Sequence, residues 1–231
     1  MNADPSSRLW SYARFAYALM AVATLWCSWL NLGNALRIAH QVHAVEYGEG
    51  PILFHALRLL QHQPLYPPPQ QLPSILAPYG PVGYGLVALC IRFFGISFFA
   101  PRMLVVGSAV GIALLLVLLL RNLTRSWLLA IPFGALFLCI VPTQTWMALL
   151  RFDLVGLCLS VAGFYVFAVN RKLWAPAAIL MVLAVFCKVT LLSAPAPLAT
   201  QQQPYHACRR SRQQRDFAEH GQHHQDRCRR P

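Results

Sequence analysis

Between Arg102 and Arg121 the chain carries no charged residue. A run this long and apolar can satisfy its backbone amides and carbonyls only as helix, and at about 20 residues it has the length that crosses a bilayer. Composition extends the point to the whole chain. Of 231 residues, 57% are hydrophobic and 11% charged, and mean hydropathy is +0.49. Soluble domains carry roughly 25% charged residues, so this chain cannot cover itself with a polar surface. The class that remains is an all-α, polytopic membrane helix bundle. In a soluble protein the net charge of +12 would suggest nucleic acid. Here Arg and Lys punctuate the ends of apolar runs, as the positive-inside bias requires, and no nucleic-acid partner is expected. Seven cysteines lack CxxC spacing. Cys27, Cys90, Cys139, Cys158 and Cys187, inside apolar segments, read as small buried hydrophobes.

The first apolar run, residues 15–36, follows Arg8 and Arg14. It is too long for a secretory signal and lacks a small-x-small cleavage site, so a retained helix with its N-terminus in the cytoplasm is expected. Residues 37–84 then lie outside. Within them, residues 51–60 space apolar side chains as a helix does, with His55, Arg58 and His62 on the polar side, which suits a helix lying on the membrane surface. Pro64, Pro67, Pro68 and Pro69 then force extended chain. Further apolar cores fall at residues 82–94, 102–120, 127–141, 153–168 and 174–187. Arg121 and Arg125 flank one loop, Arg171 and Lys172 another, and both pairs belong in the cytoplasm. That requires residues 82–94 not to cross. At about 13 residues the segment is shorter than the roughly 17 a span needs. About five spans remain, plus interfacial helices in the first external loop.

This arrangement gathers Glu46, Glu49, Arg102, Arg151, Asp153 and Lys188 on one face. The acids before residue 200 are Asp4, Glu46, Glu49 and Asp153, so three of the four meet there. Half-buried carboxylates in a membrane protein are costly and default to functional hypotheses. Structural roles stand beside them: Asp153 paired to Arg151, Lys188 snorkelling from a helix end.

The order of features is that of a family. An acidic first external loop precedes Gln61-His62-Gln63-Pro64-Leu65-Tyr66, Tyr79-Gly80-Pro81, Phe94-Gly95 and Pro101-Arg102; then come Arg151-Phe152-Asp153-Leu154 and Cys187-Lys188-Val189-Thr190. Over about residues 10–195 the chain resembles the N-terminal part of polytopic C-type glycosyltransferases. These include the aminoarabinose and protein-mannosyl transferases and enzymes grouped with lipopolysaccharide-core galacturonosyl transferases. The resemblance implies an enzyme of the cytoplasmic (inner) membrane. It would take a sugar from a polyprenyl-phosphate donor in the membrane lipid and pass it to an acceptor glycan, lipid or protein outside. A first-loop carboxylate would be the base. Glu49 sits where the family's Asp-Glu pair ends, but Gly48 replaces the pair's first acid. Glu46 could take over that role, so the base stays open between the two. Asp153 matches the second-loop acid, which positions donor or acceptor, sometimes through a divalent cation; no metal ligand is singled out. Lys188 and Arg102 are the candidates to meet the phosphate leaving group, and Arg151, Tyr79 and His55 complete the substrate-binding set.

Elementary chemistry is compatible with these roles. A low-dielectric interface raises a carboxylate's pKa toward that of a useful base, and cations stabilise charge developing on a phosphate. The rival is a non-catalytic membrane protein, a transporter fragment or structural partner. A transporter would place ionisable groups mid-span and show repeated halves; neither pattern is in the sequence.

Residues 200–231 change character, with seven arginines and almost no aliphatic residue. They read as a disordered basic tail, in contact with anionic lipid or translated out of frame. The histidines and cysteines there fit no compact metal site. Residues 1–199 are then expected to be an incomplete transferase-like domain, inactive if truncated.

Overall fold

The structure, a computed structural model, describes residues 5–66 and 79–188, with backbone alone for residues 5–11 and 13. The basic tail and most of the proline-rich extended segment lie outside the described residues.

Every regular element among the described residues is helical. They are α1 (Pro5–Ala39), α2 (Glu49–Leu60), α3 (Pro81–Phe94), α4 (Phe99–Thr124), α5 (Trp127–Leu136), α6 (Val141–Trp146), α7 (Phe152–Val169) and α8 (Trp174–Cys187), with 3-10 turns at Phe137–Cys139 and Arg171–Leu173. Their ends follow local chemistry. Pro81 opens α3, where its missing N–H costs nothing, and Gly95 closes it at φ 80°. Arg125, left-handed at φ 56°, stops α4. The side chain of Asn170 accepts from the Lys172 amide and turns the chain between α7 and α8.

Close contacts give the direction of each helix. Arg102, in the first turn of α4, donates to the carbonyls of Ile38 and Gln41 at the end of α1, so these two helices run antiparallel. A Cβ on Gly134 of α5 would press on Val117 and Ala113 of α4, and Arg121 of α4 covers the ring of Trp127; α4 and α5 are therefore antiparallel. Gly111 approaches Cys158, while Arg102 is tied through Glu49 to Leu150, so α4 and α7 run parallel. Gly163 of α7 meets Ala177 and Met181 of α8, and Asp153 bonds Lys188; the last pair is antiparallel.

Among the described residues five segments therefore traverse the bundle: α1, α4, the broken stretch from α5 through α6, α7 and α8. Both α2 and α3 lie between an α1 that ends and an α4 that begins at the same end, so α3 does not cross. Three traverses among the described residues are long and apolar enough to span a bilayer on their own, Arg14–Ala39, Phe99–Thr124 and Phe152–Val169, which makes this a membrane protein. The α5–α6 traverse is interrupted by Pro132 inside the helix, by extended backbone at Ile140 and by Pro142 at the start of α6.

Small residues recur through the core. Ala35, Ala56, Ala88, Ala109 and Ala113 are buried with Tyr84, Phe152, Met147 and Leu150. Trp26, Trp29, Phe93, Leu128 and Phe186 point outward. Lipid tails are as apolar as these side chains, so association in a bilayer rests on close backbone approach at small residues instead of on sequestering oil from water. Of the five cysteines expected to be buried, only Cys187 is; Cys27 on α1 is exposed and the others are half-buried.

Candidate functional site

Six charged residues, Glu46, Glu49, Arg102, Arg151, Asp153 and Lys188, converge at one end of the bundle, in two groups of different character. The first is a sealed clamp. Glu49, the first residue of α2, and Arg102 are both 0% exposed. Arg102 Nε donates to Glu49 Oε1 at 3.0 Å and a terminal nitrogen donates to Oε2 at 2.6 Å, a two-pronged pair. The remaining donors of Arg102 go to the carbonyls of Ile38 (3.3 Å), Gln41 (2.7 Å) and His43 (2.8 Å). A guanidinium has five N–H donors, and all five are used. Glu49 is equally committed, for Leu150 N–H donates to Oε1 at 2.8 Å and Val45 N–H to Oε2 at 2.7 Å. Burial alone would push the Glu49 carboxyl up. Hydrogen bonds from Arg102, Leu150 and Val45 and the charge of Arg102 outweigh it and hold the group below its ordinary value.

Two expectations change here. Glu49 was a candidate base, but a carboxylate with both oxygens saturated and its pKa lowered is a poor proton acceptor. Arg102 was a candidate phosphate contact, but it has no donor left and no exposed surface. Together they fasten the end of α1, the loop at residues 40–48, α2, α4 and the approach to α7. Such pairs are costly to break, and their value here is positional.

The second group is open. Arg151 donates to Glu46 at 3.5 Å and to Asp153 at 3.3 Å, and Lys188 bonds the other oxygen of Asp153. Side-chain exposure is 21% for Glu46, 30% for Arg151, 8% for Asp153 and 26% for Lys188. Acid and base alternate along this chain of four, so the group is neutral as a whole. Each position has a local cause. Arg151 is the extended residue that precedes α7, and Asp153 sits in that helix's first turn, where the N-terminal dipole favours an anion. Lys188 follows the last turn of α8, where a cation is favoured. The antiparallel α7–α8 pair brings the two termini together.

Tyr79 borders this group. Its ring meets Phe152 edge-on at 5.0 Å and Tyr84 at 6.3 Å, and Tyr66 donates to its carbonyl at 2.9 Å. Burial pushes its phenol pKa up, against the pull of Arg151. His55 departs from the sequence-based expectation. Periodicity places it on the polar side of a surface helix, but it is wholly buried on the inner face of α2, edge-on to Tyr84 at 5.4 Å. From that position it presents no exposed surface. Among the described residues no three His, Cys, Asp or Glu side chains come together as a metal site. With both Glu49 oxygens occupied, that residue cannot join Glu46 and Asp153 around a divalent cation.

Sequence reasoning missed the small residues that let α3 approach α7 and α8 closely. Gly80 donates its N–H to the Cys187 carbonyl at 3.2 Å, and a Cβ there would lie 1.8 Å from the Phe186 carbonyl oxygen. One turn on, a Cβ at Gly83 would lie 2.5 Å from the ring of Phe152. The only sequence signal was glycine beside proline in Tyr79-Gly80-Pro81, which marks a turn but not what approaches it.

The site defines a class, that of an all-helical membrane protein with a charge network at one end of its bundle. No family model matches the chain, and no curated protein or solved structure is significantly similar to it.

Proposed function

We propose that the protein is an integral membrane glycosyltransferase, moving a sugar from a polyprenyl-phosphate donor to an acceptor at the external face of the cytoplasmic membrane. The observation that carries this reading is the network of Glu46, Arg151, Asp153 and Lys188 on one end of an apolar bundle, with Asp153 buried and the other three partly exposed. Ser or Gln would be less costly to place at such positions than charge. The network offers both groups the reaction needs. Glu46, the more exposed carboxylate and held by one long contact, takes the proton from the acceptor hydroxyl. The hydroxyl oxygen bonds to the anomeric carbon as the bond from that carbon to the phosphate oxygen breaks. The electron pair leaves with the polyprenyl phosphate, whose charge is met by Lys188 and Arg151. Asp153 positions both cations, and Glu49 with Arg102 holds the frame.

Sidedness follows the positive charge. Arg121, Arg125, Arg171 and Lys172 lie in or beside the short connections after α4 and α7, with Arg14 early in α1, at the end opposite the network. Arg37, Arg58 and Arg92 lie in or beside the long first loop, and Arg102, Arg151 and Lys188 are paired to acids. The positive-inside bias favours the cytoplasm for the end with the short connections. On this reading the N-terminus is inside and the network outside.

Polyprenyl phosphate itself, the product common to every such donor, is the probe. Added to the purified protein in lipid nanodiscs, it is expected to raise the unfolding temperature. Lys188→Ala should remove that rise, while Glu46→Gln should keep it yet abolish release of polyprenyl phosphate from polyprenyl-phosphate sugars. If neither variant alters binding or release, while both lower stability, the network is only a latch between α7 and α8. The non-catalytic reading then replaces this one.

A further inference from the structure

A second feature lies at the other end of the bundle, between the N-terminal half of α1 and the start of α5. A groove of about 730 Å³ runs there, within the range of ligand-sized sites. Ala18 and Ala21 are small and share one face of α1, and Leu25 and Pro132 line its deeper part. From Arg14 to Leu25 the helix rises about 16 Å, roughly half of the about 30 Å hydrocarbon core. The groove is therefore about one leaflet deep, apolar along its length and open sideways.

Its mouth is basic. Arg14 and Trp127 line it, and the guanidinium of Arg121 lies over the Trp127 ring at 4.8 Å. Nε of Arg121 is buried and has no hydrogen-bond partner among the described residues. Arg125, one residue past α4, adds to the charge of this end. We propose that the groove binds an anionic phospholipid of the surrounding bilayer, one acyl chain between α1 and α5 and the phosphate between Arg14 and Arg121. A second copy of the chain is a poorer occupant, because a two-fold contact through this face would bring the arginines of both copies together. The inference rests on the membrane reading alone and not on sugar transfer.

The test is native mass spectrometry of the detergent-solubilised protein with added phosphatidylglycerol or phosphatidylcholine. The wild type should retain one phosphatidylglycerol in preference to phosphatidylcholine. Arg14→Gln and Arg121→Gln should each weaken that preference by about fivefold, the scale of one basic residue near an anionic surface. Lys172→Gln, a charge of the same end outside the groove, should leave it intact, and Ala21→Phe should reduce retention of both lipids. Arg14 is exposed, so its variant reads the headgroup contact even if Arg121→Gln fails to fold. Equal retention of the two lipids by the wild type, or an unchanged preference in Arg14→Gln, overturns the proposal. So does a dimer that Ala21→Phe dissociates.

Discussion

Replacing Glu49 by glutamine separates a structural carboxylate from a catalytic one. Each oxygen of Glu49 accepts two hydrogen bonds: Oε1 from Arg102 and Leu150, Oε2 from Arg102 and Val45. An amide has one oxygen and one NH2. Whichever way it turns, the NH2 faces two donors, one of them from the guanidinium. Two buried donors lose their acceptor at about 1–3 kcal/mol each, and Arg102 loses its counter-charge where no water reaches it. The total falls near the about 3–5 kcal/mol typical of breaking a buried ion pair from one side, or more than about a hundredfold in the folded-to-unfolded ratio. Glu46→Gln, at a half-exposed contact of 3.5 Å, should cost less than about 1 kcal/mol. Chemical unfolding in detergent micelles, followed by tryptophan fluorescence, measures both. The double variant Glu49→Met with Arg102→Met should be less impaired than the two single losses added together, because no unpaired charge stays buried. Glu49→Gln that unfolds with the wild type would refute the clamp and return Glu49 to candidacy as the base.

Gly80→Ala should strongly destabilise the fold in the same assay, since the Phe186 carbonyl 1.8 Å from the new Cβ is backbone and cannot swing aside. Gly85→Ala, with nothing within 4 Å, should be neutral or stabilise by about 0.5–1 kcal/mol. Acid should weaken the wild type through Glu49, whose folded pKa lies below its ordinary 4.5. Its contribution is present above that value and disappears as pH falls through the folded pKa. Glu49→Gln should lack this part of the acid transition, and an unchanged pH profile in the variant would contradict it. On a cysteine-free background, a thiol-reactive dye impermeant to the membrane should label Tyr47→Cys from one face and Lys172→Cys from the other; labelling of both from one face would break the five-traverse topology.

How much of this was legible in the sequence depended on the kind of interaction. The helical class and the long traverses follow from apolar length. That α3 stays on one side followed from the Arg121–Arg125 and Arg171–Lys172 pairs, because charge sidedness is a property of sequence order. The meeting of Glu46, Arg151, Asp153 and Lys188 was also within reach, since Glu46 lies in the first loop and the other three at the ends of apolar runs, all of which topology sends to one face. What one chain could not disclose was which charges saturate one another. Arg102 and Glu49 are 53 residues apart, and three of the five acceptors of Arg102 are backbone carbonyls, which any residue supplies. The reversal of His55 has the same origin. Periodicity placed it on the polar side of an amphipathic helix, but α2 buries its Glu49–Ile52–His55–Ala56 face because Glu49 is bound to Arg102.

One clue was present. Arg102 opens a helix that carries no other charge before Arg121, and a cation in that position requires an anion or a set of carbonyls to remain ionised. Few carboxylates were available to pair with it, and Asp153 already had Arg151 two residues away and Lys188 at the facing helix end. Charge matching therefore pointed Arg102 at the first loop, to Glu46 or Glu49. Helix position separates these two. Glu49 begins α2 and is carried inward with its buried face, whereas Glu46 lies in the loop before the helix and stays partly exposed. The same arithmetic that makes Glu49 an anchor leaves Glu46 as the first-loop carboxylate that keeps exposed surface.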